Sequence, residues 1–145
     1  MILHKLDPNN IFLYLNERNG SLLVTELNSM KEAYGMLYTL ENSLRLFIKL
    51  RMREEYGINW FHTAPRQVLK RPPSKDFDSL NFHDLETSYI RIYKKAFPHI
   101  PTEFFKYLQS IYPLRNKIAH SHPLSENEYH VLLQSYNYLI TFINE

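Results

Sequence analysis

Arginine and histidine are the side chains best suited to holding a phosphate ester and moving protons on it. Both occur in the segment YPLRNKIAHSHPLSENEY, residues 112–129. Phe104, Leu108, Ile111 and Ile118 repeat at steps of three and four, which predicts one apolar stripe of a helix. The same rule places position 115 on that stripe, and the residue there is Arg115. An unpaired guanidinium in a core is very unfavourable, so Arg115 calls for an anionic partner or a wet cleft. A phosphate would match its planar fork. An internal carboxylate would also serve, and Glu41 on the long helix upstream is available; on pattern alone both readings stay open.

Helical geometry sorts the neighbours. Asn116 and His120 are four apart and share a face, so the amide could orient the imidazole. Arg115 and His120 are five apart, which is about 140° around a regular helix. They converge only if the helix loosens near Ala119 or if Arg115 of one chain meets His120 of another. The helix macrodipole alone would also favour a histidine near this end. Pro113, well inside the segment, removes a hydrogen bond and predicts a kink.

Other residues are candidates for supporting roles. Glu41 and Arg45 are spaced i,i+4, which reads either as a surface ion pair or as Glu41 orienting Arg115. Between Tyr56 and Lys75 there is no acidic residue, yet Arg66, Lys70, Arg71 and Lys75 all fall there. With Trp60, Phe61 and His62 beside them, these cations could follow an RNA backbone while the rings stack on bases. A plain solvated loop is the other reading. His120, Ser121 and His122, with His130 beyond, have neither cysteine nor an acidic cluster to complete a tetrahedral set, so neither metal nor cofactor is expected.

These residues have to be held by helices. Asp7-Pro8 reads as an N-cap followed by proline at the first helical position, and Gly20 as a stop for a short first helix. SLLVTEL (21–27) is ambiguous between an extended lead-in and an early helix start. From about Ser29 to Tyr56, Ala33, Leu37, Leu40, Leu44 and Phe47 mark the stripe of a long helix ended by Gly57. Residues 57–75 read as a basic connection with one short helical turn. A third helix is expected from Asp84 to Pro98, and a fourth capped by Thr102. Ser125-x-x-Glu128 forms a capping-box pattern opening the last helix. The expected fold is all-α: a bundle of four to five helices, in a single compact domain with a lead-in over 1–28 and the helical body over 29–145.

Bulk properties agree. The chain has 145 residues, few glycines and 14% aromatic residues, which suits one helical core. No cysteine is present, which fits a reducing cytoplasm, the location expected here. MILHKLDPNNIF shows no leader signature, and no stretch approaches the roughly 20 apolar residues of a membrane span. The net charge of +2 is too small to imply nucleic acid by itself.

The segment RNKIAH (115–120) resembles the R-x4-6-H motif of HEPN (higher eukaryotes and prokaryotes nucleotide-binding) domains, with the usual polar residue after the arginine. LENSLRLFIKLRMREEYGINWF (40–61) and SLNFHDLETSYIRIYKKAF (79–97) are similar to two further segments of one HEPN branch, and the likeness covers roughly residues 30–143. The resemblance implies a helical bundle with the motif at the end of the penultimate helix, dimerising so that two motifs face each other. It further implies metal-independent endoribonuclease activity in toxin–antitoxin or antiviral systems. Arg115, His120 and Asn116 would be catalytic, RNA the substrate, and an antitoxin or other regulatory protein a partner. Other members are inactive modules for dimerisation, RNA binding or nucleotide sensing. In nucleotidyltransferase-associated members a tyrosine stands two residues after the motif histidine. Here that position is His122, a departure from that form of control.

Overall fold

The computed structural model describes the backbone of residues 8–145 and the side chains of residues 26–145. Helix α1 runs from Pro8 to Tyr56, with Pro8 as its first residue; Asp7 lies outside the described residues. The stop expected at Gly20 is not used, because α1 passes through it. A glycine inside a helix costs about 1 kcal/mol relative to alanine, which handicaps a helix without forbidding it. Gly57 does end α1: its φ of 89° is open to glycine, and its N–H donates to the Arg53 carbonyl at 2.9 Å.

The connection that follows is more helical than expected. Helix α2 covers Trp60–Ala64 and continues as a π-helical turn over Pro65–Leu69, ending at Lys70 in a left-handed conformation. The third helix also differs from expectation. Helix α3 is short, Phe82–Leu85, and starts before Asp84 because the Asn81 side chain accepts from the Asp84 N–H at 2.9 Å. A π-helical turn over Glu86–Ile90 follows, and residues 91–97 form turns rather than helix. The wider turn places Glu86, Tyr89 and Ile90 together on the buried face.

Helix α4 spans Thr102–Ala119. Thr102 is its first residue and not its cap, a position taken by Pro101 without a side-chain hydrogen bond. The helix continues through Pro113, whose exposed ring sits on the outer face. Helix α5, Glu126–Ile143, opens with the expected capping box: the Glu128 N–H donates to Ser125 Oγ, and the Ser125 N–H donates to Glu128 Oε1 at 2.9 Å.

Helices α1, α4 and α5 pack together, with α2 and α3 against α1. The predicted stripe of α1, Ala33, Leu37, Leu40, Leu44 and Phe47, is buried throughout and extends to Ile48 and Met52. It meets Phe104, Leu108 and Ile111 of α4, and Leu132 and Leu139 of α5, in one core. Each such side chain contributes about 1.5–3 kcal/mol on burial, so this seam fixes the angular setting of α4. Among the described residues the fold is helical with no strand, and no helix is long and apolar enough to cross a membrane.

Candidate functional site

The seam decides where Arg115 goes. After Ile111 the buried position falls to Leu114, 5% exposed, and Arg115 is turned to the half-buried edge of α4. The stripe therefore does not put Arg115 in the core, as a step of four from Ile111 would have done. A helix of 3.6 residues per turn alternates steps of three and four, and the step of three is taken here.

Arg115 lines an open pocket of about 180 Å³ together with Tyr112 and Asn116 of α4 and Asn81, Phe82 and His83 of α3. Among the described residues its guanidinium has no ion pair and no hydrogen-bond partner in the protein. Glu41 is engaged elsewhere, 3.5 Å from Arg45. Arg45 in turn donates to the Leu80 carbonyl at 2.7 Å and to Asn42 Oδ1 at 3.2 Å, while its Nε is buried without a partner. Glu41 and Arg45 thus hold the residue just before Asn81, the cap that places α3 beside Arg115.

Tyr112 is fixed from behind. Its hydroxyl donates to Glu86, a carboxylate only 2% exposed that also receives Arg91 Nε at 2.5 Å and Gln109 Nε2 at 3.4 Å. Arg91 is stacked over the Phe105 ring, 4.0 Å from its centroid. Burial, then the hydrogen bond to Glu86, pushes the Tyr112 phenol far above its ordinary value. Its hydroxyl is therefore committed to Glu86, and its ring forms a wall of the pocket. His83 lies edge-to-face against that ring with centroids 5.6 Å apart.

His120 is exposed at the C-cap of α4 and is not among the residues lining the Arg115 pocket. It meets Asn116 through the backbone, donating its N–H to the Asn116 carbonyl at 3.1 Å; among the described residues the Asn116 amide makes no hydrogen bond to the imidazole. Beyond His120 the chain turns in a Schellman motif: His122 N–H donates to the Lys117 carbonyl at 2.8 Å and Ser121 N–H to the Ile118 carbonyl at 3.0 Å. Lys117 and Glu128, 2.6 Å apart, tie this end to α5, and that contact with the Ser125 N–H holds the Glu128 carboxyl below its ordinary value. Ser121 takes the left-handed position, φ 59°, where a side chain is strained. Ser121→Gly is accordingly expected to raise stability by about 0.5–1 kcal/mol, seen as a melting temperature a few degrees higher. An unchanged or lower value would contradict that strain.

The other candidates separate. Arg71 and Lys75 line a pocket of about 260 Å³ with Tyr89 and Tyr93, while Arg66 and Lys70 are exposed nearby. Trp60 packs edge-to-face with Phe77 and Tyr89, at centroid distances of 5.3 and 5.9 Å. Among the described residues no group of three or more His, Asp or Glu side chains is placed to hold a metal ion.

Sequence reasoning did not single out His83, Tyr112 or Glu86. Tyr112 precedes Arg115 by three residues and so shares its face, a signal that was available. Glu86 interrupts a buried run of Phe82, Leu85, Tyr89 and Ile90, also a visible signal. His83 is more than thirty positions from the motif, and only the fold brings it there.

Neither a curated protein nor a solved structure matches the chain. The family model for Swt1-like HEPN matches residues 35–144, a span that holds the C-terminal part of the long helix, the α3 turn, the Arg115 pocket and both final helices. The chain belongs to the Swt1-like HEPN family.

Proposed function

We propose that this HEPN domain is a metal-independent endoribonuclease that works as a homodimer, in the setting of a toxin or defence effector. HEPN domains are often ribonucleases or nucleotide-binding modules, and one observation carries the choice between them. Arg115 lines an open pocket and its guanidinium has no protein partner among the described residues, while an exposed imidazole stands five residues on, at the C-cap of the same helix. A structural arginine would be paired; this one is positioned to receive an anion.

The chemistry follows from those groups. A base removes the proton of an RNA 2′-OH, O2′ attacks the adjacent phosphorus, and the P–O5′ bond breaks as an acid protonates O5′. The products carry a 2′,3′-cyclic phosphate and a 5′-hydroxyl. Arg115 stabilises the charge that builds on the phosphoryl oxygens. His120 gives or takes the proton as general acid or base. Asn116, exposed beside Arg115, contacts a phosphate oxygen. Arg66, Lys70, Arg71 and Lys75 supply the salt-sensitive attraction for the RNA backbone. A second copy of the chain brings its motif to the first. Two pairs of exposed apolar residues on α1, Tyr34 with Tyr38 and Leu46 with Leu50, offer surface for that contact.

Purified protein in EDTA is expected to cleave RNA and leave 2′,3′-cyclic phosphate ends, read by end-specific labelling and mass spectrometry. RNA that is bound but stays intact would replace this reading with that of a catalytically silent binding module.

A further inference from the structure

In one chain the imidazole beside Arg115 is not the motif's. His120 sits past the end of α4, whereas His83 lines the same 180 Å³ pocket as Arg115. Three independent supports set it there. The Asn81 cap fixes the first turn of α3. The Arg45 guanidinium holds the Leu80 carbonyl immediately before it. The Tyr112 ring, fixed by buried Glu86, packs against the imidazole. His83 itself remains exposed while it lines the pocket.

We propose that His83 is a second proton-transfer group for RNA cleavage, acting on the phosphodiester that Arg115 holds. The proposal rests on the endoribonuclease reading and extends it. In-line displacement at phosphorus needs one group to accept the O2′ proton and another to protonate O5′, on opposite sides of the phosphate. Two imidazoles meet this without a further reactant: one starts neutral and ends protonated, the other starts protonated and ends neutral. His83 and His120 approach from different elements, so they need not lie on the same side. Among the described residues the charged or titratable groups that share the pocket with His83 are Arg115 and Tyr112 of α4, with Asp84 next to it in the chain and Glu86 behind Tyr112. Glu86 is occupied by Arg91 and Tyr112, so it does not act as the base.

The experiment is single-turnover cleavage of one RNA in EDTA from pH 5 to 9 by wild type, His83→Ala and His83→Phe, with RNA affinity measured for each. The expected result is a rate about 100-fold lower for both variants, affinity within a few-fold of wild type, and one limb of the pH profile flattened. Restoration by His83→Phe would overturn the proposal in favour of an aromatic wall. A His83→Ala rate within a few-fold of wild type would overturn it outright, leaving the endoribonuclease reading in place. Wild-type protein that cuts no RNA would overturn both.

Discussion

Arg115→Ala is expected to slow RNA cleavage by about 100- to 1000-fold, the usual loss when a preorganised donor to a developing anion is removed. His120→Ala should cost at least as much, within the range of about 100- to 10,000-fold for a general acid or base. Neither change should unfold the domain. Arg115 is half-buried and unpaired among the described residues, and His120 is exposed past the helix end, so the helical circular dichroism signal and melting temperature should stay near wild type. Arg115→Lys should recover only part of the rate, because an ammonium keeps the charge without the bidentate fork. A composite site makes a sharper demand. Neither variant is active alone, but in a mixture the heterodimer regains one intact site that pairs Arg115 of one chain with His120 of the other. Roughly a quarter of wild-type activity should return if the chains exchange freely. Full activity in the single variants would sink the assignment; inactive variants with no recovery on mixing would place both groups on one chain.

The sequence made the long helices legible because their stripes are regular. Ala33 through Phe47 on α1 and Phe104 through Ile111 on α4 are buried as their spacing requires. Sharp local chemistry was also readable: the Ser125 capping box and the Gly57 stop are both used. Three features were not legible, each for a physical reason. Gly20 is a weak breaker set against cooperative helix propagation. The α3 region is ordered by tertiary demands on Glu86, Tyr89 and Tyr93, which a 3.6-residue period cannot express. Arg115 lies at the boundary of the stripe, where one residue's choice between a step of three and a step of four decides between core and cleft. The candidate site was half visible for the same reason. Arg115, Asn116 and Tyr112 are neighbours in sequence, whereas Asn81 and His83 reach the pocket only through the fold.

The buried carboxylate behind that pocket gives the largest expected loss of stability. Glu86 is nearly inaccessible and joins three donors, Arg91, Tyr112 and Gln109, from two elements. Removing one member of a buried charged network costs about 3–5 kcal/mol, because the groups left behind lose their partner inside the protein. Arg91 is 44% exposed and can turn its guanidinium to water, which puts Glu86→Ala near the low end, about 3 kcal/mol. For a domain of this size that is roughly 6–12 °C in melting temperature. Glu86→Gln keeps the shape and can still accept from Tyr112, so it should lose less. Tyr112→Phe leaves the Arg91 pair intact and should cost about 1.5–3 kcal/mol, the net value of one hydrogen bond to a charged group. The same series separates stability from function. Tyr112 is both the receiver of the Glu86 anchor and the wall beside Arg115 and His83, so Glu86→Ala should slow cleavage even well below its melting temperature. A Glu86→Ala protein that melts within 1 °C of wild type would mean that Glu86 anchors nothing. One that melts early but cleaves at the full rate when cold would mean that the Tyr112 wall is not needed to hold the site open.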